Sequence, residues 1–271
     1  MTSTHLPGRG TAAPLLVILA VLVTACSPME NPDSAGPPAP EYPEVIRYTA
    51  LGDSLATGTG AESSYVDEYA AWIEEETAST VEVTNVAVDG WTSHDLLEML
   101  DTDGEVRAAV GEAHVITWSI GGNDLLDVLA QLLRGACESV DPRPCLEDGV
   151  EGAVERSDEV IREILALRDG DPDGLRTFDL YLPFSGHPYV GPFVDLLRPH
   201  LDAFNTEVAA TAAAHDVPVG EVHRAFHGPD GDGDPSSDGL ISHDGLHPSD
   251  HGHRVIAEVL ADLGLELADR D

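Results

Sequence analysis

From residue 45 onward, short β-rich apolar runs alternate with segments of helical periodicity, and this alternation narrows the fold more than any other feature. Residues 45–51, 81–88, 114–120, 175–182 and 217–222 are short, apolar and rich in β-branched or aromatic side chains, so they predict five strands. Between them, residues 65–77, 125–133 and 194–214 repeat apolar positions at helical spacing, as do Val154, Ile161, Ile164 and Leu165 in a stretch from Val150. Pro199 should kink the 194–214 helix or start a new one within it. The last helix is the best defined: Ser249 is placed to cap it, and Val255, Ile256, Val259, Leu260 and Leu263 share one face. Strands separated by helices form a parallel sheet covered on both sides. The fold class is therefore α/β, a three-layer α/β/α sandwich around a five-stranded parallel sheet. One domain spans residues 44–271, without internal repeats or a second boundary.

The residues before it read differently. Arg9 and the apolar stretch 12–23 make residues 1–25 a processing signal, because 12 apolar residues fall short of the roughly 20 that a membrane-spanning helix requires. Val23-Thr24-Ala25-Cys26 resembles the lipobox of bacterial lipoprotein signal peptides, which implies cleavage before Cys26 and a diacylglyceryl group on its sulfur. A plain secretory signal is the alternative. Residues 27–43 hold six prolines among Gly, Ser and Asn, a tether composition. Residues 26–43 thus become a lipidated cysteine and linker that set an extracytoplasmic domain off the cell membrane. In that compartment Cys137 and Cys145 are expected to form a disulfide, contributing about 2–3 kcal/mol by closing a short loop. Two buried free thiols are the alternative.

Composition excludes several partners. Fifty acidic residues face 13 basic ones, all arginine, for a formal net charge of −37. Phosphate backbones and anionic lipid headgroups both require clustered cations, so nucleic acid is not expected to bind, nor anionic membrane through a basic patch.

In an open parallel sheet, ligands bind beyond the carboxyl ends of the strands. Ser54 follows the first predicted strand, Gly90 the second, Asn123 the third, and His247 lies between the fifth and the last helix. Gly52-Asp53-Ser54-Leu55, Asn85-Val86-Ala87-Val88-Asp89-Gly90, Gly121-Gly122-Asn123-Asp124 and Asp244-Gly245-Leu246-His247 together resemble the four signature blocks of the SGNH/GDSL hydrolases, in the same order. The resemblance implies a flavodoxin-like sandwich and a serine esterase that works without metal or organic cofactor. Ser54 would be the nucleophile, His247 its base and Asp244 the group that orients the imidazole. The backbone N–H groups of Ser54 and Gly90 and the side-chain amide of Asn123 would form the oxyanion hole. Asp53 and Asp124 would shape turns. Ser54 stands in Gly-Asp-Ser-Leu-Ala, which does not fit the G-x-S-x-G elbow of α/β-hydrolases.

The resemblance covers lipid, acetyl-carbohydrate and small acyl esters alike, and a monomer is expected. Residues 125–145 and 184–192, with Phe184, His187 and Tyr189, are the candidate pocket walls. Two metal readings compete. His243, His247 and His251 have i, i+4, i+8 spacing, but Pro248 interrupts a helix there. Asp230, Asp232, Asp234 and Asp238 resemble the start of a calcium loop, yet Ile241 stands where its closing glutamate belongs. A lipoprotein that binds a glycan or acyl ligand without turnover is the remaining alternative.

Overall fold

The computed structural model describes residues 42–136, 142–186 and 190–270. The expected signal, Cys26, nearly all of the tether, Cys137, His187 and Tyr189 lie outside the described residues. The strands β1 (Val45–Gly52), β2 (Thr80–Asn85), β3 (Val115–Ser119), β4 (Leu175–Phe178) and β5 (Val219–Gly220) form one all-parallel sheet in the order β2-β1-β3-β4-β5. Helices α1 (Ser54–Thr57), α2 (Tyr65–Thr77), α3 (Ser93–Thr102), α4 (Gly104–Glu112), α5 (Gly122–Leu133), α6 (Arg143–Leu167), α7 (Val194–Ala214), α8 (Val222–His227) and α9 (Asp250–Asp262) cover it. The expected three-layer α/β/α sandwich is therefore present.

Strand alternation explains the layers. Ile46, Tyr48 and Ala50 of β1 face one side and pack with Tyr65, Tyr69 and Ile73 of α2 and Ile256 and Leu260 of α9. Leu51 of β1, with Ile116 and Trp118 of β3, faces the other side against Leu96, Leu100, Val110, Ile161 and Ile164. A third apolar cluster lies off the sheet, where Val150 and Ala153 of α6 meet Leu180, Leu182, Leu201 and Phe204. It builds the wall of the cavity described below.

Several boundaries differ from expectation. Strand β2 ends at Asn85, three residues before the expected end, although Val86 and Val88 still donate N–H bonds to Ala50 and Gly52 carbonyls of β1. The fourth and fifth also end early, and residues 179–182 run on as a connection into the third cluster. Helix α7 continues through Pro199 without a second start. Helices α3 and α4 arise where the apolar pattern predicts no element; Thr92 and Asp95 form a capping box for α3, and Asp103 accepts the Glu105 and Val106 N–H groups of α4.

At the opposite end of the sheet, two buried arginines replace water as partners for backbone carbonyls. Arg176 donates to the carbonyls of Gly264 (2.7 Å) and Glu266 (3.1 Å), and Arg168 to those of Ala113 (2.8 Å) and Asp173 (2.6 Å). The Arg176 bonds help strap residues 263–270 under the sheet. Among the described residues, no helix is long and apolar enough to cross a membrane.

Candidate active site

Gly52 ends β1 with φ +123°, and a Cβ there would come within 2.1 Å of the Ser119 carbonyl oxygen of β3. Only glycine permits that close approach and that backbone angle. The chain then turns so that Asp53 caps α1, its Oδ1 accepting the Leu55 N–H at 3.0 Å, and Ser54 becomes the first helical residue. Asp53 is 3 % exposed. Burial pushes its carboxyl up to about 7, against the opposing pull of the Leu55 N–H, the Ser119 hydroxyl and His247.

Ser54 faces a turn that lies 190 residues downstream in sequence. The His247 Nε2 is 2.9 Å from the Ser54 Oγ, and its Nδ1 is 2.6 Å from Asp244 Oδ2. The other carboxylate oxygen of Asp244 accepts the N–H groups of Leu246 (2.8 Å) and His247 (2.9 Å) and the Ser242 hydroxyl (2.8 Å). Burial alone would raise the Asp244 pKa, but these bonds and the imidazole outweigh it and hold the carboxyl well below the usual range. Asp244 is therefore a stable anion through neutral pH. Such a chain can draw the hydroxyl proton from Ser54 onto His247 while Asp244 steadies the positive ring that results.

Of the donors named from the sequence, Ser54 and Asn123 line the same cavity. Gly90 has φ +81° and no atom within 4 Å of where a Cβ would stand, so it is the backbone angle rather than crowding that favours glycine there. It does not line the cavity beside Ser54, whereas Asn123 does. Asn123 Nδ2 donates to the Trp91 carbonyl at 2.8 Å, tying α5 to the loop that carries Gly90. An amide has two N–H donors, so the second is available to a ligand oxygen.

The sequence assigns no role to four supporting residues. Asp89 accepts hydroxyl bonds from Thr57 and from Thr59 (2.9 Å), holding the Gly90 loop against α1. Gly60 (φ +97°) lies so close that a Cβ would be 2.9 Å from His247 Cβ. Asp250 accepts the Glu62 and Ser63 N–H groups at 2.6 and 3.2 Å, and buried His253 accepts the Tyr65 N–H through Nδ1 at 3.1 Å. Together Asp250 and His253 fix the loop behind His247 to α9. Only the dipeptide Asp89-Gly90 carried a local signal. Asp53 and Asp124 do more than shape turns: Asp124 accepts the Ser93 N–H and hydroxyl and two Arg156 donors, joining α3, α5 and α6.

Beside Ser54 opens a cavity. Its wall is mostly aliphatic, with Leu125, Leu126 and Leu129 from α5 and Leu146 and Val150 from α6. Phe184 lines it as expected, whereas the contributions of α6, α7 and residues 180–183 went unforeseen. His243 and His251 are exposed. Among the described residues no three His, Cys, Asp or Glu side chains converge on a metal position, the acidic 230–238 loop included.

Comparison with known proteins shows the family. Residues 50–255 match the GDSL-like lipase/acylhydrolase family. The spore germination lipase LipC of Bacillus licheniformis is 29% identical over 225 residues, covering 81% of this chain and 97% of that protein. The crystal structure of the lipase Lip_vut3 from a goat rumen metagenome has a TM-score of 0.67 and 26% identity, covering 81% of this chain and 97% of that one. The acetylxylan esterase Axe2 of Geobacillus stearothermophilus shares the fold at a TM-score of 0.57 and 17% identity, covering 82% of this chain and 95% of that one. The chain belongs to the GDSL-like lipase/acylhydrolase family and is a carboxylic ester hydrolase.

Proposed function

We propose that the protein hydrolyses esters of aliphatic carboxylic acids through an acyl-enzyme on Ser54. The observation that carries this reading is the hydrogen-bonded chain Asp244–His247–Ser54 at the edge of an aliphatic cavity. As Ser54 Oγ bonds to the acyl carbon, its proton passes to His247 Nε2 and the carbonyl oxygen becomes an oxyanion. The N–H groups of Ser54 and Gly90 and the free amide N–H of Asn123 receive that charge. Collapse breaks the bond to the alcohol, which leaves with the proton from His247. Water then repeats the sequence on the acyl-Ser54 ester and releases the acid.

The cavity favours an alkyl acyl group over acetyl. Each methylene taken out of water contributes about 0.8 kcal/mol, and an acetyl group would leave the leucine-lined space unused. The test is hydrolysis of a chain-length series of p-nitrophenyl esters by the soluble domain and its Ser54→Ala variant. Turnover should fall at least about 10⁴-fold on substitution, and kcat/KM should peak beyond acetate. Turnover that survives the substitution would overturn the serine mechanism, and a peak at acetate would overturn the acyl assignment.

We also propose that Cys26 carries a lipid anchor and that Cys137 and Cys145 pair. The lipobox-like tetrapeptide followed by a proline-rich tether supports the first. The second rests on their short separation and on the first proposal, which would put the domain outside the cytoplasm; Cys145 stands in the first turn of α6, beside the cavity wall.

A further inference from the structure

Val128 of α5 belongs to the walls of two cavities. On one side is the aliphatic cavity beside Ser54; on the other is a polar one lined by His94, Asp127, Gln131, Asp148 and Arg156. Helix α6 brings Gly149 against it from behind, so close that a Cβ on Gly149 would lie 2.3 Å from Val128 Cγ2 and 2.9 Å from Cγ1. A valine in a helix has essentially one side-chain rotamer. With backbone of α6 packed on its methyls, Val128 is a fixed partition rather than a swinging gate.

The two sides of that partition differ in what they offer an alkyl chain. Leu125, Leu126 and Leu129, on the same face of α5, replace water around each methylene. Past Val128 the chain would meet the charged side chains of Asp127, Asp148 and Arg156, whose hydration it would have to displace without returning a hydrogen bond. We infer that Val128 is a specificity-determining residue, the stop that sets how long an acyl chain the enzyme accepts. This rests on the proposed acyl cavity and adds to it the position of its end.

The test is a ratio, since a general loss of activity affects every ester alike. For the wild-type protein, kcat/KM is measured across p-nitrophenyl esters of increasing chain length to find the optimum. Val128→Ala removes the partition's methyls and should move the optimum to longer chains, raising the longer-to-optimal ratio about fourfold for each methylene newly accommodated. Val128→Phe fills the same space and should move the optimum to shorter chains. Gly149→Ala, which forces Val128 toward the cavity from the other helix, should act in the same direction as the phenylalanine. The three variants change packing in different ways, so a fold lost in one leaves the others to decide. Ratios within about twofold of wild type in the folded variants, with Ser54-dependent hydrolysis intact, would overturn the partition alone. Absence of Ser54-dependent hydrolysis across the series in the wild-type protein would overturn the acyl reading with it.

Discussion

Asp53 is the most unusual titrating group near Ser54, because it is ionisable, buried and adjacent to the nucleophile in sequence. Its folded pKa of about 7 against an ordinary 3.8 means that folding favours the protonated acid. Its contribution to stability is therefore whole below about pH 3.8 and is lost as pH rises through about 7. Asparagine keeps an oxygen to cap α1 and carries no charge. The melting temperature of Asp53→Asn relative to wild type should consequently increase from about pH 5 to about pH 8, read by thermal denaturation at each pH. A difference that does not change with pH would contradict the buried-acid account. Ser54 and Asn123 were legible because each follows a strand end, whereas Asp244 and His247, far beyond β5, were legible only through their resemblance to the last signature block. Gly60, Asp250 and His253 were not, since their roles depend on contacts across nearly the whole chain, such as Tyr65 with His253.

At the level of elements, periodicity located the strands and the long helices, while their ends and the short helices escaped it. The segment before β3 holds Leu96, Leu100, Val106 and Val110 on buried faces, but α3 and α4 are short and separated only by Asp103. The caps at Thr92 and Asp103 carry that information better than the apolar pattern does. The cavity walls were half legible, because α6 and α7 contribute from 90 or more residues beyond Ser54. The Asp124 cluster ties α6 to α3 and α5. The Asp124 carboxylate is 3 % exposed and lies 2.9 Å from Arg156 Nη2. Removing Arg156 leaves that charge with only the two Ser93 donors. Arg156→Ala should cost about 1–3 kcal/mol, below the 3–5 typical of a fully buried pair because the arginine is partly exposed. Urea denaturation measures it, and a loss below about 0.3 kcal/mol would show that Ser93 alone suffices.

For the whole molecule, a net charge of −37 and the absence of lysine describe a surface that repels anionic membranes and nucleic acid. Membrane attachment would then depend on lipid rather than on charge. Cys26→Ser should move the full-length protein from the membrane fraction to the soluble one while its esterase activity remains, because Cys26 precedes the folded unit that starts at Tyr42. Retention of the variant in membranes would refute the anchor.

The central claim is the covalent role of Ser54, and the most direct measurement is the mass of the protein after reaction with an alkyl fluorophosphonate. This reagent phosphonylates a serine only where a base and an oxyanion site activate it. One adduct per chain, located on the peptide that carries Ser54 and absent from Ser54→Ala, is the predicted result. Full esterase activity in a protein that takes up no adduct, or an inactivating adduct on any other residue, would contradict the account.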